Sequence, residues 1–203
     1  VLDLPPSQAK FRVGYLPEER GLYRDLKVEN TLVYLAQLKG MARDQARTRA
    51  AQLLEEVQLQ DWADNKVRDL SRGMKQRVQF VASLVHDPDV VFLDEPFQGL
   101  DPVNVERIKD FIDRLRQEGK TIVLSTHQMG MVEALCDRIL LMNRGQAVVY
   151  GQLSEIKKSY APHSVRVRAD HMPADLIGVL EVTRDDGAYD LALAEHIEPQ
   201  QVL

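Results

Sequence analysis

A short apolar run that ends in two acidic residues constrains this chain more than any other segment. Residues 90–93 are Val-Val-Phe-Leu, Asp94 and Glu95 follow, and Pro96 ends the run. Proline lacks the backbone N–H that a central strand needs, so we expect the strand to stop there. An apolar run of this kind predicts a parallel strand that is buried on both faces. In such sheets ligands bind beyond the carboxyl ends of the strands, where Asp94 and Glu95 lie.

The segments around this run predict an α/β fold. Apolar residues recur at helical spacing at about 28–38, from about 44, from Ser71, at 102–118 and near 128–137. Strands are predicted at 11–15, 90–93, 121–125 and 138–142. From residue 90 onward strands and helices alternate, which indicates a parallel sheet with helices on its faces and strand 138–142 as a member.

The last quarter of the chain has a different pattern. Asn-Arg-Gly at 143–145 predicts a hairpin turn into a strand at 146–150. Alternating segments at 165–169, 181–183 and 189–193, the last two linked by Asp-Asp-Gly, predict a small antiparallel unit. The final residues, 199–203, predict the start of a helix.

Composition excludes several classes of protein. With 203 residues, 44% of them hydrophobic, the chain can bury a core of its own. Its net charge of −5 gives no basic field for nucleic acid or anionic lipid. A single cysteine excludes an intramolecular disulfide and favours a reducing compartment. No apolar run approaches the roughly 18 residues of a membrane span, so any membrane role requires a partner.

Three further motifs carry polar groups at the ends of predicted elements. Ser71 precedes Arg72 and Gly73 at a helix start, where free N–H groups and the helix dipole favour phosphate. His127 follows the apolar strand 121–125, and Asp101 precedes a proline at the start of helix 102–118. Each has an ordinary structural interpretation by itself, as a helix cap or a surface residue.

Together and in this order, these motifs resemble the nucleotide-binding subunit of an ATP-binding-cassette (ABC) transporter. The segment from Leu70 to Met74, LSRGM, is similar to the family signature LSGGQ, with Arg72 replacing a glycine and Met74 replacing the glutamine. The resemblance covers roughly the first three quarters of the chain. It implies a P-loop ATPase core with a parallel sheet, a helical subdomain inserted at about 22–88, and ATP and Mg²⁺ as ligands.

The resemblance also implies a role for each candidate site residue. Glu95 matches the general base of ATP hydrolysis, and Asp94 the aspartate on the metal side. His127 matches the histidine that hydrogen-bonds the γ-phosphate. Ser71 and Gly73 match the signature residues that contact the γ-phosphate held by the opposite subunit.

Two more positions follow from the resemblance. Asp101 matches an interface aspartate that faces the partner's phosphate loop, and it can cap helix 102–118 at the same time. Glu18 lies where the family usually has a glutamine. A carboxylate there could approach Mg²⁺ or the attacking water, but Glu18 is equally well explained as a surface acid in a loop.

One defining part of the family is absent from the 203 residues, because no GxxxxGK[ST] phosphate loop occurs. The Gly-Lys-Thr at 119–121 has Arg114 in place of the first glycine and follows a predicted helix instead of a strand. We therefore expect the chain to be a fragment of a longer subunit, inactive by itself. On this reading residues 1–160 form a partial ABC ATPase domain and 161–203 an incomplete C-terminal accessory domain of α+β type.

The chain resembles the bacterial or archaeal branch of the family that powers efflux. This implies a head-to-tail dimer, with a second copy or a paralogous subunit, bound to a transmembrane permease at the inner face of the membrane. The exported solute would be a drug, sodium or another small molecule. Two alternatives stay open: a soluble ABC ATPase that acts on ribosomes or chromosomes, and a non-hydrolytic regulatory fragment. The absence of long heptad repeats and of a second cassette disfavours the first alternative.

Overall fold

A computed structural model describes residues 4–19, 21–160, 164–169, 176, 178–185, 188–194 and 197. The chain divides into two compact units, Val1–Cys136 and Asp137–Leu203. This division falls between residues 136 and 137. It does not test the family-based boundary at residue 160, which stays a prediction.

The first unit contains three strands and six helices in its described part. In chain order they are α1 (Pro6–Ala9), β1 (Val13–Leu16), α2 (Val28–Leu38), α3 (Arg43–Glu56), α4 (Arg72–Leu84), β2 (Val90–Asp94), α5 (Pro102–Gln117), β3 (Thr121–Ser125) and α6 (Met129–Leu135). Short 3-10 turns at Gln60–Trp62 and Val67–Asp69 connect α3 to α4. The predicted helices and strands of this unit are confirmed to within about two residues.

The strands form a parallel sheet in the order β1-β2-β3. All of α2, α3 and α4 lie between β1 and β2 in sequence, although these two strands are neighbours in the sheet. The helices therefore form an insertion between two paired strands. The bounds 22–88 of a helical subdomain stay a prediction. Leu16, Val91 and Leu93 on the sheet pack in one core with Phe80 and Phe111, whose rings meet edge to face at 5.3 Å between centroids. The predicted α/β class with a parallel sheet is confirmed.

Helix α4 lies unusually close to β1. Ser71 caps its N-terminus by accepting a hydrogen bond from the backbone N–H of Met74. A Cβ built on Gly14 would lie 2.2 Å from the backbone oxygen of Ser83, a distance that no side chain could tolerate. Glycine at position 14 therefore allows the helix to approach the strand backbone. This contact fixes α4 against the sheet next to the candidate site.

The prediction about the burial of β2 is wrong. Strand β2 was expected to be buried on both faces, but Phe92 is 41% exposed while Val91 and Leu93 are buried. Tyr15 and Val123 pair with Phe92 on the neighbouring strands and are exposed too. The helices of the described part cover the other face, so only that face is buried.

The second unit begins with β4 (Arg138–Asn143) and β5 (Gln146–Gln152), followed by α7 (Leu153–Tyr160) and the strands β6 (Ser164–Val167), β7 (Val179–Asp185) and β8 (Ala188–Leu193). The prediction that residues 138–142 join the parallel sheet is wrong. Within the described part of the chain, strand β4 pairs only with β5, and antiparallel, because Arg144 and Gly145 both adopt positive φ and close a tight hairpin.

The predicted antiparallel unit near the C-terminus is present as a three-stranded sheet, β6-β8-β7. The predicted turn residues 186–187 and the helix start at 199–203 lie outside the described residues. No helix in the described part of the chain is long and apolar enough to cross a membrane.

The close contact between α4 and β1 predicts a specific sensitivity at Gly14. We expect Gly14→Ala to lower the free energy of unfolding by about 1–3 kcal/mol, because the added methyl group must push two backbones apart. Urea unfolding followed by circular dichroism measures this change. Gly21→Ala is the matched control, since nothing lies within 4 Å of its added Cβ. Equal effects of the two substitutions would contradict the interpretation.

Candidate functional site

Glu95 lies directly after β2, in an uncommon backbone conformation. Its φ is +44°, a left-handed conformation that a non-glycine residue adopts at a cost of about 1 kcal/mol or more. Its backbone N–H donates to the carbonyl oxygen of Ser125 at 2.9 Å, which extends the pairing of β2 with β3 by one residue. The side chain is only 12% exposed. The strand pairing therefore holds a strained acidic residue at the carboxyl end of the central strand.

The carboxylate of Glu95 receives hydrogen bonds from the segment that follows β3. Oε1 accepts from the backbone N–H of His127 at 2.9 Å and lies 2.6 Å from Nδ1 of the same residue's ring. Oε2 accepts from the hydroxyl of Thr126 at 3.2 Å. That hydroxyl also accepts from the backbone N–H of Gln128 at 3.2 Å, which fixes its orientation. The structure thus brings two predicted site residues, Glu95 and His127, into direct contact.

The contact with Glu95 determines which ring nitrogen of His127 carries the proton. A carboxylate only accepts, so Nδ1 must be the protonated nitrogen of a neutral ring. The Nε2 atom is then an acceptor, and it becomes a donor only when the ring is protonated twice. The His127 side chain is 79% exposed, so most of the ring is accessible. A ligand at Nε2 would therefore meet a ring whose tautomer is set by Glu95.

Asp94 ends β2, opposite Ser125 of β3, and is partly buried. Among the described residues no cluster of three or more His, Cys, Asp or Glu side chains could enclose a metal ion. Mg²⁺ does not require such a cluster, because it keeps several waters and is held by one or two carboxylates together with substrate phosphates. A single carboxylate at a strand end therefore fits Mg²⁺ that arrives with a nucleotide.

Ser71 and Gly73 lie together at the tip of α4. The Ser71 hydroxyl caps the helix, as predicted from its position. A Cβ on Gly73 would lie 3.3 Å from the carbonyl oxygen of Gly99, and a Cβ on Gly99 would lie 2.8 Å from Nε of Arg72. Gly99 also has a φ of +75°, which favours glycine. The tip of α4 is therefore packed against the loop that leads to α5.

Asp101 caps the N-terminus of α5. Its Oδ1 accepts from the backbone N–H of Asn104 at 3.0 Å, and its Oδ2 accepts from the Asn104 side chain at 2.6 Å. The backbone N–H of Asn104, followed by its side chain, holds the pKa of the Asp101 carboxyl below its ordinary value. No hydrogen bond of the described residues joins the side chain of Asp101 or Ser71 to the Glu95–His127 pair.

Glu18 is exposed in the loop after β1, and its Oε1 lies 3.4 Å from Nε2 of Gln98. Three glutamines near the ends of β1 and β2 were not predicted as site residues: Gln76, Gln79 and Gln98. The Nε2 group of Gln76 donates to the Pro96 carbonyl at 3.3 Å, directly after Glu95. No sequence signal marks Gln76 and Gln79, because a polar residue inside a helix ordinarily faces solvent.

The ring contact predicts a tautomer for His127 that NMR can measure. We expect the neutral ring to carry its proton on Nδ1, whereas a free histidine side chain prefers Nε2. Long-range ¹H–¹⁵N correlation spectra distinguish the two forms. Glu95→Ala should return His127 to the Nε2–H form, and Thr126→Val, which keeps the Glu95 carboxylate, should not. An Nε2–H ring in the unsubstituted protein would contradict the geometry.

Comparisons with known proteins agree on one family. The family model described as ABC transporter matches residues 4–98. An ABC transporter ATP-binding protein of Methanocaldococcus jannaschii is 46% identical over 150 residues, which are 74% of this chain and 57% of that protein. The Nod factor export ATP-binding protein I of Burkholderia orbicola is 38% identical over 163 residues, or 79% of this chain and 51% of that protein.

A solved structure gives the same answer. A structure described as the ATP-binding subunit of an ABC transporter superposes with a TM-score of 0.71 at 28% identity, covering 77% of this chain and 65% of that one. The chain spans about half the length of the curated relatives that it matches. Sequence, fold and the order of the motifs agree, and the chain belongs to the family of ABC transporter ATP-binding proteins.

Proposed function

We propose that this chain is part of an ATP-hydrolysing subunit that powers export through a transmembrane permease. The observation that carries this proposal is the carboxylate of Glu95, which is largely buried at the end of β2 and oriented by Thr126 and His127. Phosphoryl transfer to water depends on positioning and electrostatics, so a rigidly held acceptor next to a polar strand edge suits that chemistry.

In this mechanism Glu95 orients the attacking water and accepts its proton. The hydrogen bonds from Thr126 and from the His127 backbone hold the carboxylate in place. Nδ1 of the His127 ring lies on Oε1, the oxygen that also accepts from the His127 backbone. The ring could turn from Oε1 toward the γ-phosphate and donate a hydrogen bond there. Movement of the ring would also let Oε1 accept a hydrogen bond from water beside the one from the His127 backbone.

The other candidate residues would bind the nucleotide and the second subunit. Asp94 would hold Mg²⁺, which supplies charge neutralisation for the phosphates when it is bound. Ser71 and Gly73 lie at a helix N-terminus and would contact the γ-phosphate of ATP bound to the opposite subunit of a head-to-tail dimer. Asp101 would face the partner's phosphate loop. Glu18 would approach the metal or the water from the loop after β1.

The proposed transport direction is export, and the partner is a polytopic membrane protein at the inner face of the membrane. The relative from Burkholderia orbicola is named as a Nod factor export protein, which supports the direction. The described part of this chain has no helix that could span a membrane, so a solute would have to cross through another subunit. The solute is a drug, sodium ion or other small molecule chosen by that subunit.

The role of Glu95 predicts a separation of ATP binding from hydrolysis. In a version of the chain that carries a strand, phosphate loop and helix ahead of β1, here called the phosphate-loop version, Glu95→Gln should bind ATP and form an ATP-bound dimer. Its kcat should fall by about 100-fold or more, because the water loses its general base. Steady-state phosphate release and size-exclusion chromatography with ATP measure the two effects.

The 203-residue chain without that segment is the negative control. It lacks the lysine and the backbone N–H cradle that hold the β- and γ-phosphates, so titration calorimetry should detect no micromolar binding of Mg-ATP. Turnover by Glu95→Gln within a few-fold of the unsubstituted phosphate-loop version would overturn the assignment of the base. Micromolar binding by the control would mean that other residues form the nucleotide site.

If the subunit binds a permease, charge reversal near residues 22–40 should weaken that binding more than charge reversal on α5. We expect the permease to dock near Glu18 and residues 22–40, so Asp25→Lys should reduce its recovery with the tagged subunit from detergent-solubilised native membranes. Glu106→Lys on α5 is the control, because Glu106 is likewise an exposed acid with a basic partner, Lys109. Equal losses would contradict this docking surface, and recovery of ribosomes or DNA would favour the soluble alternative.

A further inference from the structure

The side chain of Gln79 is buried in α4 and reaches the loop after β1. Only 4% of the residue is exposed. Its Nε2 group donates to two backbone carbonyls, that of Pro17 at 3.2 Å and that of Glu19 at 3.0 Å. One carboxamide therefore holds the loop on both sides of Glu18.

Packing alone does not account for a glutamine at this position. Both neighbouring groups are carbonyl acceptors, so the NH₂ group must face them. The Oε1 atom is buried and has no hydrogen-bond partner in the described part of the chain. Burying an unpaired amide oxygen costs free energy that a methionine of similar size would not. The two donated hydrogen bonds are thus the property that glutamine adds here.

The same loop is held from a second direction. Glu18 Oε1 lies 3.4 Å from Nε2 of Gln98, which follows Glu95 by three residues. Helix α4, which carries Gln79, begins at the tip formed by Ser71 and Gly73. A displacement of α4 would therefore also displace the backbone around Glu18.

We propose that Gln79 is a positioning residue that ties the Glu18 loop to α4, so that Glu18 and the Ser71 tip move together. This inference rests on the proposed ATPase function for its catalytic consequence, and on geometry alone for the tether. Gln76 supplies a comparison on the same helix. It is also buried, at 2% exposure, but donates to the Pro96 carbonyl and not to the Glu18 loop.

The first test uses the 203-residue chain and a glutamate-specific protease. Gln79→Met keeps the volume of the side chain and removes both donors, so cleavage after Glu18 and Glu19 should become about tenfold faster, since it follows the population of the open loop. Mass spectrometry identifies the cleaved bonds. Gln76→Met should leave these rates unchanged. Equal rates for Gln79→Met and the unsubstituted chain, or equal acceleration by both variants, would overturn the tether.

The second test measures ATPase kinetics in the phosphate-loop version. Gln79→Met should lower kcat by about tenfold while the KM for ATP stays within about twofold, because the substitution misplaces Glu18 and Gln79 itself does not touch the nucleotide. Added to Glu18→Ala, it should cost nothing further, whereas a general loss of structure would lower activity again. An additive loss, or a change confined to KM, would overturn the proposal.

The two tests also separate this inference from the proposed function. If the unsubstituted phosphate-loop version hydrolyses no ATP, the proposed function fails, and the cleavage rates still decide whether the tether exists. If Gln79→Met fails to fold, Gln79→Asn replaces it in both tests. Asparagine keeps the amide but is one methylene too short to reach both carbonyls. It should therefore give the same changes in cleavage and kcat, and unchanged values would overturn the proposal.

Discussion

The candidate site depends on the parallel pairing of β2 with β3. This pairing sets Asp94 opposite Ser125 and continues through the bond from the Glu95 backbone to the Ser125 carbonyl. Because parallel strands end at the same edge, the residues that follow them meet without any help from a flexible loop. Glu95 and His127 are 32 residues apart in sequence and share a hydrogen bond for this reason. A slip of one residue in register would separate them.

The same pairing accounts for the strained backbone of Glu95. A positive φ turns the side chain back toward the segment after β3, where the Thr126 hydroxyl and the His127 backbone donate to it. These charge-assisted hydrogen bonds offset the cost of the conformation. Strain of this kind persists only where the surrounding structure fixes it, and it concentrates at functional sites. The local geometry is thus what would be expected of a group held ready for chemistry.

Local patterns in the sequence predicted most elements, and pairing across the chain explains the failures. Helix α2 and strand β3 begin and end at the predicted residues, because apolar spacing and their end signals are local. Strand β4 was assigned to the wrong sheet, because an apolar pattern does not identify the strand with which it pairs. The adjacent hairpin turn places β5 next to β4. Phe92 was expected to be buried but is exposed. The apolar pattern of a strand cannot reveal which face of the sheet the helices cover.

The site was predictable where its residues sit at strand or helix ends, and not where they sit inside a helix. Asp94, Glu95 and His127 follow apolar strands, so their positions could be inferred from the end of a pattern. The buried amides of α4 could not, because a polar residue inside a helix ordinarily faces solvent. Their burial depends on Gly14, which lets α4 approach β1 so closely that amides reach the loops at both strand ends. A larger residue at position 14 would move Gln76 and Gln79 out of reach together. The contact between helix and strand therefore links stability of the core to the geometry of the site.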